Sequence, residues 1–155
     1  MKALGILDYT VEDVFHIFVK NAKKDFSDFN EEDPTGCKIE KNIAPEGAKP
    51  IECTIEITSY LKNEKYQITT STGYTKCVST YTFKGQKNGT TKLICEEQQE
   101  SAKFFGYMSL YIQRFMARRN FKAKYNHIVE SLNNELRIHF SNIERSKPKD
   151  KGLAD

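Results

Sequence analysis

The sequence predicts one α+β domain, an antiparallel sheet of about six strands with one helix near its start and a long helix at its end. Three observations carry this expectation. Between Ile51 and Gln98 apolar and polar residues alternate with period two. On either side, at 11–26 and 104–136, apolar residues recur at spacings of three and four. Asn63-Glu64 and Asn88-Gly89 fall between strand-like runs, where a chain that must reverse sharply favours residues tolerant of positive φ.

Lys2 to Leu7 is an apolar run of strand length. Thr10 then opens a T-x-x-D pattern ending at Asp13, a variant of the capping box in which side-chain oxygens satisfy the first free N–H groups of a helix. In the helix that follows, Val11, Val14, Phe15, Phe18, Val19, Ala22 and Phe26 form the apolar face, and Glu12, Asp13, His16, Lys20, Lys23 and Lys24 the polar one. Pro34, Pro45, Pro50, Gly36 and Gly47 break up Ser27 to Pro50, leaving one short strand at Cys37–Ile43. In the next run, Ile51, Cys53, Ile55, Ile57 and Leu61 alternate with Glu52, Thr54, Glu56 and Thr58. Lys65–Thr72, Lys76–Lys84 and Thr90–Gln98 complete a meander, with Cys77, Ser79, Tyr81 and Phe83 on one face of its middle strand. Ser101 is read as the N-cap of a helix reaching about Arg137, with a kink or a rotating buried face near Arg118-Arg119-Asn120. The domain is expected to occupy residues 1–140, and the polar stretch 141–155 to be a disordered tail.

Composition narrows the function classes. A chain of 155 residues buries roughly 70% of the surface its unfolded form exposes, enough for a core without metal or disulfide support. Its 18 aromatics, 8 Tyr plus 10 Phe, supply that core, so the mean hydropathy of −0.64 reflects a Lys/Glu/Asn/Thr surface. A net charge of +3, with 24 basic and 21 acidic residues, does not argue for nucleic-acid binding. No run is long and apolar enough for a transmembrane helix, and the first residues lack a signal-type apolar core, so the expected compartment is the cytoplasm. Cys37, Cys53, Cys77 and Cys95 are too widely spaced for a zinc site or a disulfide scaffold and read as reduced thiols.

The segments Glu64 to Gln98 and Phe115 to Leu136, taken with the element order, resemble the helix-grip fold of the START-related and polyketide-cyclase (SRPBCC) superfamily, and within it a small bacterial family of unknown function. The resemblance implies a curved sheet wrapped around the last helix and a cavity between them that holds a hydrophobic or amphipathic small molecule. The facing elements would line it with Tyr66, Tyr81 and Phe83 from strands and Phe104, Met108, Tyr111, Ile112 and Phe115 from the helix. Alternation adds Glu97, on the face of Leu93 and Cys95, although a carboxylate there is more often solvated or paired with lysine. The competing reading of all these aromatics is plain core.

No catalytic motif, cofactor signature or metal-ligand spacing is present, so no catalytic residue, cofactor or metal is assigned. Were the chain an enzyme of cyclase or hydratase type, Glu97 and Tyr81 would be the groups to mutate. Arg114, Arg118 and Lys122 stand at i, i+4 and i+8 beside Arg119, giving the last helix a basic stripe. The alternative to a ligand carrier is therefore a module that binds protein or nucleic acid through this stripe or a sheet edge; of these partners nucleic acid is the less favoured, and self-association remains open.

Overall fold

A computed structural model describes residues 1–43, 50–73, 75–101 and 110–146, with side chains at 43, 51, 75, 101 and 110–119 left undescribed. The elements run β1 (Lys2–Leu7), α1 (Val11–Lys23), β2 (Lys38–Ile43), β3 (Ile51–Leu61), β4 (Lys65–Thr72), β5 (Thr75–Gly85), β6 (Thr91–Ser101) and α2 (Leu110–Ser146). The six strands form one antiparallel sheet in the order β1-β6-β5-β4-β3-β2, so the first two strands of the chain are its two edges. The sheet curves around the helices in a helix-grip arrangement, as the sequence predicts.

Local chemistry starts and stops these elements as anticipated. Thr10 is the N-cap of α1: its hydroxyl accepts from the Asp13 N–H and donates to the Asp13 carboxylate at 2.7 Å. Asn63 at the β3–β4 turn (φ 62°) and Gly89 at the β5–β6 turn (φ 78°) both adopt the left-handed conformation. Asn88 fastens the second turn by accepting from the backbone N–H and hydroxyl of Thr90.

Three details depart from the periodic reading. A register shift between Ile57 and Ser59 puts a bulge in β3, and one extra residue reverses which side chains face inward. Tyr60 therefore turns in, its ring 5.6 Å from that of Phe15, and Leu61 turns out, 53% exposed, contrary to the alternation. Ser101 is not a helix cap but the last residue of β6, opposite Thr75. Residues 102–109, where the helix was expected to begin, lie outside the described residues. From Leu110 the second helix continues for 37 residues, past Arg137 to Ser146, without a break at Arg118-Arg119-Asn120; residues 147–155 again lie outside the description.

The core lies between the concave face of the sheet and both helices. Leu7, Val14, Ile17, Ile57, Leu93 and Leu136 are sealed from solvent, and Phe121, Tyr125 and Leu132 extend the α2 contribution. Ile17 is buried although it falls outside the single apolar face predicted for α1. The helix is covered on two sides, by the sheet and by α2, to which Asn21 and His16 connect through Glu135 and His139.

Candidate functional site

A cavity of about 430 Å³ opens between the concave sheet face, the C-terminal half of α1 and the middle of α2. That lies within the range of small-molecule sites, roughly 300–1,000 Å³. The sheet supplies Ile39 and Ile55, which are direct cross-strand partners, together with Tyr66, Ile68 and Tyr81. Phe18 and Ala22 enter from α1 one turn apart, and Phe26, expected within the helix, follows from just past its end because α1 stops at Lys23. Ile128 and Leu132 enter from α2 with the same spacing.

Polar groups gather at the rim. Exposed Asp25 and Lys41 pair at 3.4 Å, and Asn21, Ser131 and exposed His127 complete the edge. Deeper in, Phe18 is the hub of an aromatic cluster, with ring centroids 5.3 Å from Tyr66, 4.9 Å from Tyr81 and 5.1 Å from Phe83. Such tilted and edge-on contacts hold the tyrosine rings in fixed orientations.

Tyr66 is the unusual member. It is 2% exposed and lines the cavity, and its hydroxyl is the one fully buried side-chain polar atom without a hydrogen-bond partner among the described residues. An unpaired buried hydroxyl is costly, and native proteins seldom leave one without a water or a ligand to meet it. Burial, and secondarily the nearby negative charge of Asp25, holds the Tyr66 phenol far above the ordinary value of 10.0. It is a neutral donor and acceptor throughout the physiological range. Burial raises the Tyr81 phenol in the same direction.

The sequence-predicted residues separate into three groups. Tyr66 and Tyr81 stand in the cavity wall. Phe83 is buried behind them against Phe15 and Phe18 and does not line it. Glu97 points to the concave face as the alternation predicts, but it accepts a hydrogen bond from Ser79 and pairs with Lys124 of α2, away from the cavity. Phe104 and Met108 lie outside the described residues, and Tyr111, Ile112, Phe115, Arg114, Arg118 and Arg119 fall where side chains are not described. Lys122 is exposed. Sequence reasoning missed the contribution of α1 and β2. The four-residue line Phe18, Ala22, Phe26 was visible, but nothing in a periodic stripe distinguishes core from cavity wall.

The thiols are unpaired, and no cluster of three potential metal ligands occurs among the described residues. No described helix is long and apolar enough to cross a membrane. Burial pushes the Cys95 thiol up to about 11 from 9.0 and the Tyr125 phenol up to about 12 from 10.0. Each group keeps its proton in the folded chain after losing it in the unfolded one, so the unfolded state binds fewer protons and stability falls as pH rises. Denaturant midpoints are therefore expected to hold steady up to about pH 9 and to decline from there through pH 11, the window set by Cys95, with the phenol extending it. A midpoint unchanged at pH 11 in urea titrations contradicts this.

Residues 1–118 match a family model described as "Domain of unknown function (DUF3284)". No curated protein matches the sequence. Solved structures share the fold at low identity. A conserved protein from Geobacillus kaustophilus is 13% identical with a TM-score of 0.56, the alignment covering 86% of this chain and 94% of that one. TTHA0849 from Thermus thermophilus is 8% identical with a TM-score of 0.58, over 90% and 97%. Ara h 8.0201 is 11% identical with a TM-score of 0.58, over 88% and 95%.

Proposed function

We propose that this chain, which belongs to the DUF3284 family of unknown function, binds a small, largely apolar molecule in the cavity between sheet, α1 and α2. The observation that carries the reading is the Tyr66 hydroxyl, buried and unpartnered in an otherwise apolar wall. It selects for a guest with one hydroxyl or carbonyl at its inner end, and the rest of the guest gains by leaving water. The superfamily resemblance of the sequence and the helix-grip architecture point the same way. At the rim Ser131 and His127 stand one turn apart on α2, but no hydrogen bond joins them, so the reading is of a carrier or sensor rather than a catalyst.

Fluorescence titration with 1-naphthol and 1-methylnaphthalene tests this, because the pair differs in the hydroxyl and little else. The native chain is expected to prefer 1-naphthol by roughly three- to ten-fold, the worth of one net hydrogen bond. Tyr66→Phe should remove the preference and leave 1-methylnaphthalene binding intact. Ala22→Phe, which fills the cavity from α1, should abolish binding of both. Binding that ignores the Ala22 substitution, or no binding to the native chain, overturns the proposal.

A further inference from the structure

The two edges of the sheet are not equivalent. On β2 the outward positions are Lys38, Glu40 and Asn42, polar groups of the kind that keep an edge strand from pairing further. On β1 they are Lys2, Leu4 and Ile6, with Leu4 54% and Ile6 53% exposed. The middle of β1 thus carries no protecting charge.

Its backbone is open in the same place. Met1 and Glu97 exchange both of their main-chain hydrogen bonds, at 2.6 and 2.8 Å. Antiparallel pairing alternates, so Ala3, Gly5 and Leu7 direct their N–H and C=O groups at β6, and Lys2, Leu4 and Ile6 direct theirs away from it. No described strand lies on that side. Three alternate outward residues therefore have free ladder groups, and two of them, Leu4 and Ile6, add apolar side chains on the convex face.

We propose that β1 is a self-association edge, pairing antiparallel with β1 of a second copy of this chain about a two-fold axis at Gly5. The sequence of the edge singles out that partner and that register. Two-fold symmetry requires residues i and j to face the copy's j and i. Of the registers that bring outward groups together, the one centred on Gly5 sets Leu4 against the copy's Ile6 and Lys2 against the copy's Asp8, the exposed residue that follows the strand. Shifting the axis to Leu4 puts Lys2 opposite Ile6, and shifting it to Ile6 puts Leu4 opposite Asp8. Only the Gly5 register matches apolar with apolar and cation with anion at every position, twice over. Within its own chain the Lys2 ammonium also reaches Glu96 at 2.9 Å, so at the joint it would stand between two carboxylates. The two sheets then join into one, with α2 on the concave side, where Tyr125 and Val129 already lie over Gly5.

Sedimentation velocity of the full chain, from low micromolar to hundreds of micromolar, is expected to show a reversible monomer–dimer equilibrium. Lys2→Glu sets like charges opposite at both ends of the joint and should raise the dimer dissociation constant about tenfold, and Asp8→Lys should do the same. An equimolar mixture of the two variants should recover native affinity. In the mixed dimer the carboxylate introduced at position 2 of one chain meets the ammonium introduced at position 8 of the other, and the remaining native Asp8 meets the remaining native Lys2. Circular dichroism of each variant establishes that it is folded. A native chain that stays monomeric at hundreds of micromolar overturns the proposal. So does a dimer indifferent to either single substitution, or a mixture that fails to recover.

Discussion

Leu136→Ala is expected to lower the unfolding free energy by about 2–5 kcal/mol, the cost of removing a fully buried leucine and leaving a partly collapsed void. Leu136 is completely sealed from solvent, four residues beyond Leu132 on the face of α2 that closes the core. The effect has wider meaning because residues past 118 lie outside the segment that matches the family model. Those residues nevertheless bring Phe121, Tyr125, Leu132 and Leu136 to the core and Ile128 and Leu132 to the cavity. A chain cut after Asn120 should lose cooperative unfolding altogether, because Leu7 and Leu93 on the concave face and Ile17 on α1 would meet water. Denaturant titration with circular dichroism reads both. A Leu136→Ala change below about 1 kcal/mol would mean that the second half of α2 is dispensable.

Gly5→Ala is expected to cost about 1–3 kcal/mol for a reason that is steric and local. A Cβ on Gly5 would overlap the Tyr125 hydroxyl and come within 3.5 Å of the Val129 Cγ2. Tyr125 cannot simply swing away: the ring is buried, and its hydroxyl donates to the Leu93 carbonyl across 3.3 Å. Tyr125→Phe gives up that hydrogen bond, at about 1 kcal/mol, but clears the space. In the Tyr125→Phe background the Gly5→Ala substitution should therefore lose most of its penalty. A double-mutant cycle with additive effects would show that the backbone, not the phenol, sets the limit at this position.

The glycine illustrates what a sequence leaves unsaid. Lys2 to Leu7 was legible as a strand, yet the need for a missing side chain at Gly5 arises from a tyrosine 120 positions later. The β3 bulge is a similar case. Alternation read Leu61 inward, and a single extra residue at Thr58, whose hydroxyl meets Gln67 and Thr69 on β4, exchanged it for Tyr60. For the cavity, Tyr66 and Tyr81 were legible because they lie on the face that the strand pattern turns inward. Glu97 was legible in orientation and in its preference for a lysine, but not in its partner, since Lys124 reaches it from a helix whose placement no local pattern specifies.

The sequence by itself determined the α+β class, the order and type of the elements, the capping of α1 and the turn at Asn88-Gly89. All of these follow from backbone preferences and from the two periodicities, which act over a few residues. The tertiary structure alone decided where the elements leave space. A void, an unpartnered hydroxyl at Tyr66 and an unprotected edge at β1 are relations among surfaces from distant segments, set by how α1 and α2 seat on the curved sheet. Each such relation depends on the residue that is not there to fill, bond or cover, and a one-dimensional pattern carries no mark of that absence.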